Sequence, residues 1–268
     1  MRRAGAGVGS SDNGETIEGR MDLGGNTVLV TGGASGIGLA IATRLMAAGS
    51  TVIVCGRREA KLAEAAAANP GLRTRVCDVA REEDRVALFE WATAEFPNLN
   101  LLVNNAGVQR RVSLTEPEPW ARTHEEIAIN LDAAIHLSLL FLPHLLKQAR
   151  PALVNVTSGL AFVPMASAPV YCATKAALHS FTLSLRHQLA ETPVRVIEVI
   201  PPAVNTDLGG PGLHTFGAPL DAFADEVMRR MGEGEMEIAY GFAEDRAKAA
   251  REAFDESFAR MNGAPPRR

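Results

Sequence analysis

The chain predicts an α/β fold, one doubly wound parallel sheet, and three observations predict it. From Asn26 onward, short β-branched runs alternate with longer Ala- and Leu-rich segments. The short runs are continuously apolar, as expected for strands buried on both faces by flanking helices. A glycine-rich turn separates the first run from the first long segment, where such sheets make their first crossover.

The elements follow in order. Thr27–Val30 is the first strand and Gly38–Ala48 the first helix. Thr51–Val54 is the second strand, followed by an Ala-rich helix over Glu59–Ala68. Thr74–Cys77 is the third strand, and Glu82–Phe96 has helical spacing. Leu101–Val103 is the fourth strand, and a long helix covers Glu125–Leu146. Ala152–Val156 is the fifth strand, Tyr171–Ala190 the next helix and Val194–Val199 the sixth strand. After Pro201 the alternation breaks. Asn205–Pro219 is a long glycine-containing loop, of the kind that serves as a lid. A short helix at Asp221–Met231, a strand at Met236–Tyr240 and a charged helix at Glu244–Arg260 close the chain.

With 268 residues, 47% hydrophobic and 22% charged, the chain has an ordinary globular balance. One domain over residues 21–268 accounts for every element. The net charge of −4, with no basic block, points away from nucleic acid and anionic membranes as partners. The apolar stretch Ala133–Leu146 is too short to span a bilayer and reads as a buried helix. Cys55, Cys77 and Cys172 lack metal-ligand spacing and fit a reduced, cytoplasmic chain. No metal site is expected. Residues 1–20 are Gly- and Ser-rich without periodicity, which predicts disorder. Ile17-Glu18-Gly19-Arg20 before Met21 also spells a protease site used in fusion proteins, so residues 1–20 are either a natural tail or an added extension.

Chemistry enters at the turn Thr31-Gly32-Gly33-Ala34-Ser35-Gly36-Ile37-Gly38. Glycines there let the backbone turn sharply and approach a pyrophosphate, whose charge sits at the following helix N-terminus. The spacing differs from the common G-x-G-x-x-G dinucleotide fingerprint. At the end of the second strand, where a carboxylate would hold the ribose hydroxyls of NAD, the chain has Cys55-Gly56-Arg57-Arg58. A guanidinium suits the 2′-phosphate of NADP, so NADP(H) is favoured and NAD(H) stays open. Further on, Tyr171 and Lys175 share one helical face at i and i+4. A neighbouring ammonium would lower the tyrosine pKa toward useful acid–base chemistry.

The T-G-x-x-x-G-x-G form of the turn resembles the short-chain dehydrogenase/reductase family, and so do motifs beyond it, over Asn26 to about Leu208. Asn104-Asn105-Ala106-Gly107, Asp78-Val79, Asn130, Ser158 and Tyr171-Cys172-Ala173-Thr174-Lys175 all match the family's pattern. The resemblance implies a Rossmann fold with strand order 3-2-1-4-5-6-7 and a cofactor held by Gly32, Ser35, Gly36, Ile37, Gly38, Arg57, Arg58, Asp78, Val79, Asn105, Ala106 and Gly107. It implies a nicotinamide end at Tyr171, Lys175, Pro201, Val204 and Thr206. Tyr171 would be the acid–base residue and Lys175 its modulator and a ribose contact. Ser158 would polarise the substrate oxygen, and Asn130 would hold a relay water partly through its backbone.

One departure is Pro201-Pro202 where the family has Pro-Gly, which should stiffen that wall. Together with Thr31–Gly36 and Ser158–Pro164, it resembles a bacterial branch named after an oxidoreductase of the D-alanyl-lipoteichoic acid operon. The expected substrate is a neutral, mainly apolar carbonyl or alcohol in a pocket of Gln109, Leu160, Phe162, Ala203, Leu208 and Phe216. The family implies a homodimer or homotetramer through the helices near Glu125–Leu146 and Tyr171–Ala190. Two other readings are an epimerase or dehydratase that retains its cofactor and a non-catalytic dinucleotide-binding sensor. A metal-dependent alcohol dehydrogenase is disfavoured because no Cys/His ligand set is present.

Overall fold

The computed structural model describes residues 19–248. Seven parallel strands form one sheet in the order β3-β2-β1-β4-β5-β6-β7: β1 Thr27–Thr31, β2 Thr51–Gly56, β3 Arg73–Val76, β4 Leu101–Asn104, β5 Ala152–Val156, β6 Arg195–Ile200 and β7 Glu237–Ala239. This is the doubly wound Rossmann arrangement that the alternation of elements predicts.

Side chains alternate between two cores because successive residues of a strand point to opposite faces. Val28, Val30, Val52, Val54, Leu101 and Val103 face one layer. It is covered by α1 (Gly36–Ala47), α2 (Glu59–Ala68) and α7 (Leu220–Gly232). Leu29, Ile53, Leu102, Leu153 and Val196 face the other. That layer is covered by α3 (Glu82–Glu95), α5 (Ala133–Leu145) and α6 (Pro169–Gln188). The edge strand β3 is exposed at all four residues. Its Arg73 and Arg75 blunt the open edge, and the Arg75 guanidinium lies 4.8 Å from the centre of the Trp91 ring.

Most boundaries differ from the expectation by one or two residues, and the starts of three helices need comment. The long helix starts earlier: α4 (Trp120–Ile127) runs through a π-helical turn, Ala128–Asp132, directly into α5. At 26 residues, Trp120–Leu145 is long and apolar enough to cross a membrane by composition, so the short apolar stretch underestimates it. Its Leu137, Phe141 and Leu145 are nevertheless fully buried against the sheet. Helix α6 begins at Pro169, two residues before Tyr171, because proline's fixed φ suits the first helical turn. The last helix, α8, begins at Phe242 and is described to Lys248. The remainder of the predicted Glu244–Arg260 helix, and residues 1–18 of the predicted tail, lie outside the described residues. Of that tail, Gly19 is held by its carbonyl, which accepts from Arg195 at 2.8 Å.

The Asn205–Pro219 loop is pinned at its base. Asn205 N–H donates to Ala218 O at 2.9 Å and Ala218 N–H to Ala203 O at 2.8 Å. The loop therefore leaves and rejoins the fold at one point.

Phe141 has no exposed surface and meets Phe89 edge-on at 5.1 Å. Phe141→Ala is expected to destabilise the domain by about 3–5 kcal/mol, read from the urea midpoint. A change below about 1 kcal/mol would show that this layer is not the core.

Candidate active site

The strand order reverses between β1 and β4, so the segments leaving these two strands open a crevice at the carboxyl end of the sheet. Thr31 and Asn105 tie the two segments together. Thr31 Oγ1 accepts from Asn105 N–H and Ala106 N–H, both at 3.0 Å. The Asn105 amide donates to Thr31 O at 2.9 Å and Gly32 O at 3.2 Å. A Cβ at position 38 would lie 2.4 Å from that amide and 2.7 Å from Gly32 O, so only glycine fits there. Thr31 was part of the turn motif but not of the expected site. Its role needs the neighbouring strand and has no signal in the turn itself.

The turn fits a dinucleotide's pyrophosphate. Ser35, at the start of α1, makes no side-chain cap, and the first turn carries no acidic residue. The N–H groups at that helix end are therefore suited to an anion. Gly36 has φ +54°, a left-handed conformation that favours glycine, and its missing Cβ would come 3.5 Å from the Thr206 methyl. Thr206 thus closes over the turn from the far loop.

Arg57 and Arg58 lie on the same rim. Arg58 Nη2 donates to Ser35 Oγ at 3.1 Å. Arg57 does not stand free: its Nη1 pairs with Glu125 Oε1 at 2.6 Å, and Arg110 binds the other oxygen of the same carboxylate. Glu125 is held below its usual carboxylate pKa chiefly by the hydrogen bond from Arg57. Partly exposed pairs of this kind are weak. Asp78 Oδ1 accepts from Ala80 N–H at 3.1 Å, and buried Val79 receives Arg85 at its carbonyl at 2.7 Å.

On the other side of the crevice, four polar residues converge. Ser158 leaves β5, while Tyr171 and Lys175 stand one turn apart on α6. Asn130 sits in the π-helical turn, and a Cβ placed on Gly107 would lie 3.5 Å from Asn130 Oδ1 and 3.8 Å from Lys175 Nζ. All four are buried. Ser158 Oγ accepts from Leu160 N–H at 3.1 Å, which leaves its own hydrogen to donate. Lys175 Nζ donates to Val156 O at 2.7 Å and lies 5.8 Å from the centre of the Tyr171 ring. The Asn130 amide is engaged at both ends: Oδ1 accepts from Val108 N–H at 2.8 Å, and Nδ2 donates to Val108 O at 2.8 Å and to Thr174 Oγ1 at 3.2 Å. Asn130 thus anchors the segment after β4 from inside the π-helical turn. No periodicity in the sequence announces that turn.

The electrostatics correct one expectation. The Tyr171 phenol is pushed well above its ordinary pKa by burial, with hydrogen bonding to Ser158 pulling the other way. Lys175 is not among the groups that set it. Burial lowers its own amine to about 8, because its environment disfavours the charged form. Glu126, one turn before Asn130, is fully buried and also raised by burial. One of its oxygens accepts from Arg110 N–H at 3.1 Å and the other has no partner.

The expected pocket residues divide. Leu160 and Leu208 pack against Tyr171 and Cys172, joined by Met165, which sequence reading did not single out. Gln109 lies under the loop, its carbonyl 3.1 Å from where a Cβ on Gly209 would sit. Phe162 packs instead with Ile200, Ala239 and Ala243, so α8 rather than Tyr171 is its neighbour. Phe216 is 76% exposed, and Ala203 is also exposed. None of these three residues lines Tyr171 in this structure. Pro201 O accepts from Gly159 N–H at 2.9 Å, and Val204 is buried at the loop base. Among the described residues, no group of three or more His, Cys, Asp or Glu could hold a metal ion.

The family model described as short chain dehydrogenase matches residues 26–213. An uncharacterized oxidoreductase of Bacillus subtilis, DltE, is 48% identical over 248 residues, covering 90% of this chain and 98% of that protein. The D-beta-hydroxybutyrate dehydrogenase of Cupriavidus necator is 36% identical over 190 residues, covering 69% of this chain and 73% of that protein. A solved short chain dehydrogenase from Burkholderia cenocepacia, in complex with NADP, is 26% identical with a TM-score of 0.78 and covers 91% of this chain and 100% of its own. The glycine turn, the sheet that carries it and these similarities lead to one conclusion: the chain belongs to the short-chain dehydrogenase/reductase family of oxidoreductases.

Proposed function

We propose that this protein is an NADP(H)-preferring oxidoreductase that interconverts a neutral, mainly apolar carbonyl compound and its alcohol, with Tyr171 as acid–base residue. The observation that carries the reading is the convergence of buried Ser158, Tyr171, Lys175 and Asn130 beside the glycine turn. A bound nicotinamide supplies or accepts the hydride. The chain's own residues manage the proton. In reduction, the Ser158 hydroxyl donates to the substrate oxygen and Tyr171, a neutral phenol by burial, delivers the proton to it. In oxidation, Tyr171 takes the proton back. Lys175, with two hydrogens beyond the one given to Val156 O, orients the ribose. Leu160, Met165 and Leu208 exclude water from the tyrosine and favour an apolar substrate.

NADP is supported by two arginines and no carboxylate in Cys55–Arg58, and by the NADP found with the Burkholderia cenocepacia relative. The three unpaired buried thiols suit a reducing cytoplasm. Exposed Leu139 on α5 and Leu183 on α6 suit a face shared between copies of the chain.

Tyr171→Phe is expected to bind NADPH as the parent does but to lose about 10²–10⁴-fold in kcat, followed at the NADPH absorbance with a ketone and aldehyde panel. Unchanged turnover would remove Tyr171 from the chemistry. Arg57→Ala is expected to weaken NADPH about 10–100-fold and leave NADH nearly untouched. Equal losses for both cofactors would refute its phosphate role.

Lys175 also gives a stability prediction. Its amine falls from 10.5 in the open chain to about 8 when folded. Below pH 8 both states carry the proton and the folded state bears the whole penalty. Between pH 8 and 10 the unfolded state binds more protons, so stability rises with pH. Relative to Lys175→Met, the parent should gain up to about 1.4 kcal/mol per pH unit in that window, measured by urea unfolding. A pH-independent difference would show that the amine is not desolvated.

A further inference from the structure

Glu198 lies in the middle of β6 with no exposed surface, and the proton chemistry above makes no use of it. A buried carboxylate is costly unless its oxygens are satisfied, so what satisfies them indicates what it does. Thr157 Oγ1 donates to Glu198 Oε1 at 2.7 Å. His179 Nδ1 lies 2.9 Å from the same oxygen and 3.0 Å from Oε2. Thr157 is the residue before Ser158, and His179 is one helical turn after Lys175 on the same face of α6. One carboxylate thus grips both segments of the proposed centre. The tie runs parallel to the Lys175–Val156 hydrogen bond one turn away. The Phe162 ring packs against the His179 ring with their centres 4.6 Å apart, a contact that accompanies its turning away from Tyr171. Helix α6 therefore cannot slide or roll against the end of β5 without breaking a buried hydrogen bond.

We propose that Glu198 is a positioning residue for the Ser158–Tyr171–Lys175 centre, acting through Thr157 on the strand side and His179 on the helix side. The proposal rests on the oxidoreductase reading above. The charged groups facing His179 are Glu198, Glu237 on β7 and Arg186 on α6. The Glu198 hydrogen bond dominates and raises the imidazole's pKa. The tie is an ion pair at low pH and a neutral N–H donating to a carboxylate at higher pH. Either form holds the geometry.

The test compares Glu198→Ala, His179→Leu and His179→Asn with the parent in NADPH-linked kinetics. Asparagine can place its amide nitrogen near the Nδ1 position and keep the bond to Glu198. Glu198→Ala and His179→Leu are expected to lose about 10–100-fold in kcat, the scale for a small misplacement of reacting groups, with the NADPH KM little changed. His179→Asn should recover most of that kcat. It should also lack any inflection of kcat with pH that the parent owes to His179. Parent-like kcat in both Glu198→Ala and His179→Leu would overturn the proposal, even with a lowered Tm, since the tie would then be structural only. Equal kcat losses in His179→Leu and His179→Asn would overturn it too. If Glu198→Ala does not fold, the two His179 variants decide. If the parent turns over no carbonyl in the panel, the oxidoreductase reading fails. Positioning is then judged by hydrogen exchange over residues 157–163 and the first half of α6. Faster exchange in His179→Leu than in His179→Asn supports it, and equal exchange overturns it.

Discussion

Asn105 donates its side-chain amide to the carbonyls of Thr31 and Gly32, and through that bond the ends of β1 and β4 become one surface. These strands flank the point where the sheet changes winding direction, so their ends diverge unless something holds them. The space the amide occupies is the space a Cβ at position 38 would need. The glycine turn is packed against that amide at both Gly32 and Gly38. With the two hydrogen bonds that Thr31 Oγ1 accepts from the Asn105 and Ala106 N–H groups, the amide shapes the crevice that topology opens.

The second half of the site is organised by burial. Ser158, Tyr171, Lys175 and Asn130 are polar groups withdrawn from water, and each is constrained by bonds to backbone or neighbouring side chains. Burial keeps the tyrosine protonated and makes the lysine reluctant to carry charge. Such a site costs stability and gains a defined proton inventory. The same logic extends below it, where Asn104 donates to Asn155 at 3.0 Å and Asn155 to Thr182 at 2.9 Å. Polar residues link β4, β5 and α6 there in place of aliphatic packing. Such a network holds these elements in one register, because any slip strands a buried donor.

A surface carboxylate also joins the two halves. Glu125 bridges Arg57 at the end of β2 and Arg110 in the segment after β4. Glu126, the next residue, is buried and anchors the Arg110 N–H.

Alternating apolar runs and the glycine turn determined the doubly wound sheet, because burial on two faces leaves its pattern in composition. The ordered set of turn, Asn105, Asn130, Ser158, Tyr171 and Lys175 determined the family, because each position demands a particular side chain. Tertiary structure alone decided the rest. The π-helical turn at Asn130, the earlier starts of α4 and α6, the pairing of Arg57 with Glu125 and the turning of Phe162 toward α8 depend on contacts between residues far apart in the chain. So does the direction of the Tyr171 pKa. A lysine one turn away predicted a lowered value, but the surrounding packing removes water from both groups, and desolvation outweighs a partner whose own charge it weakens.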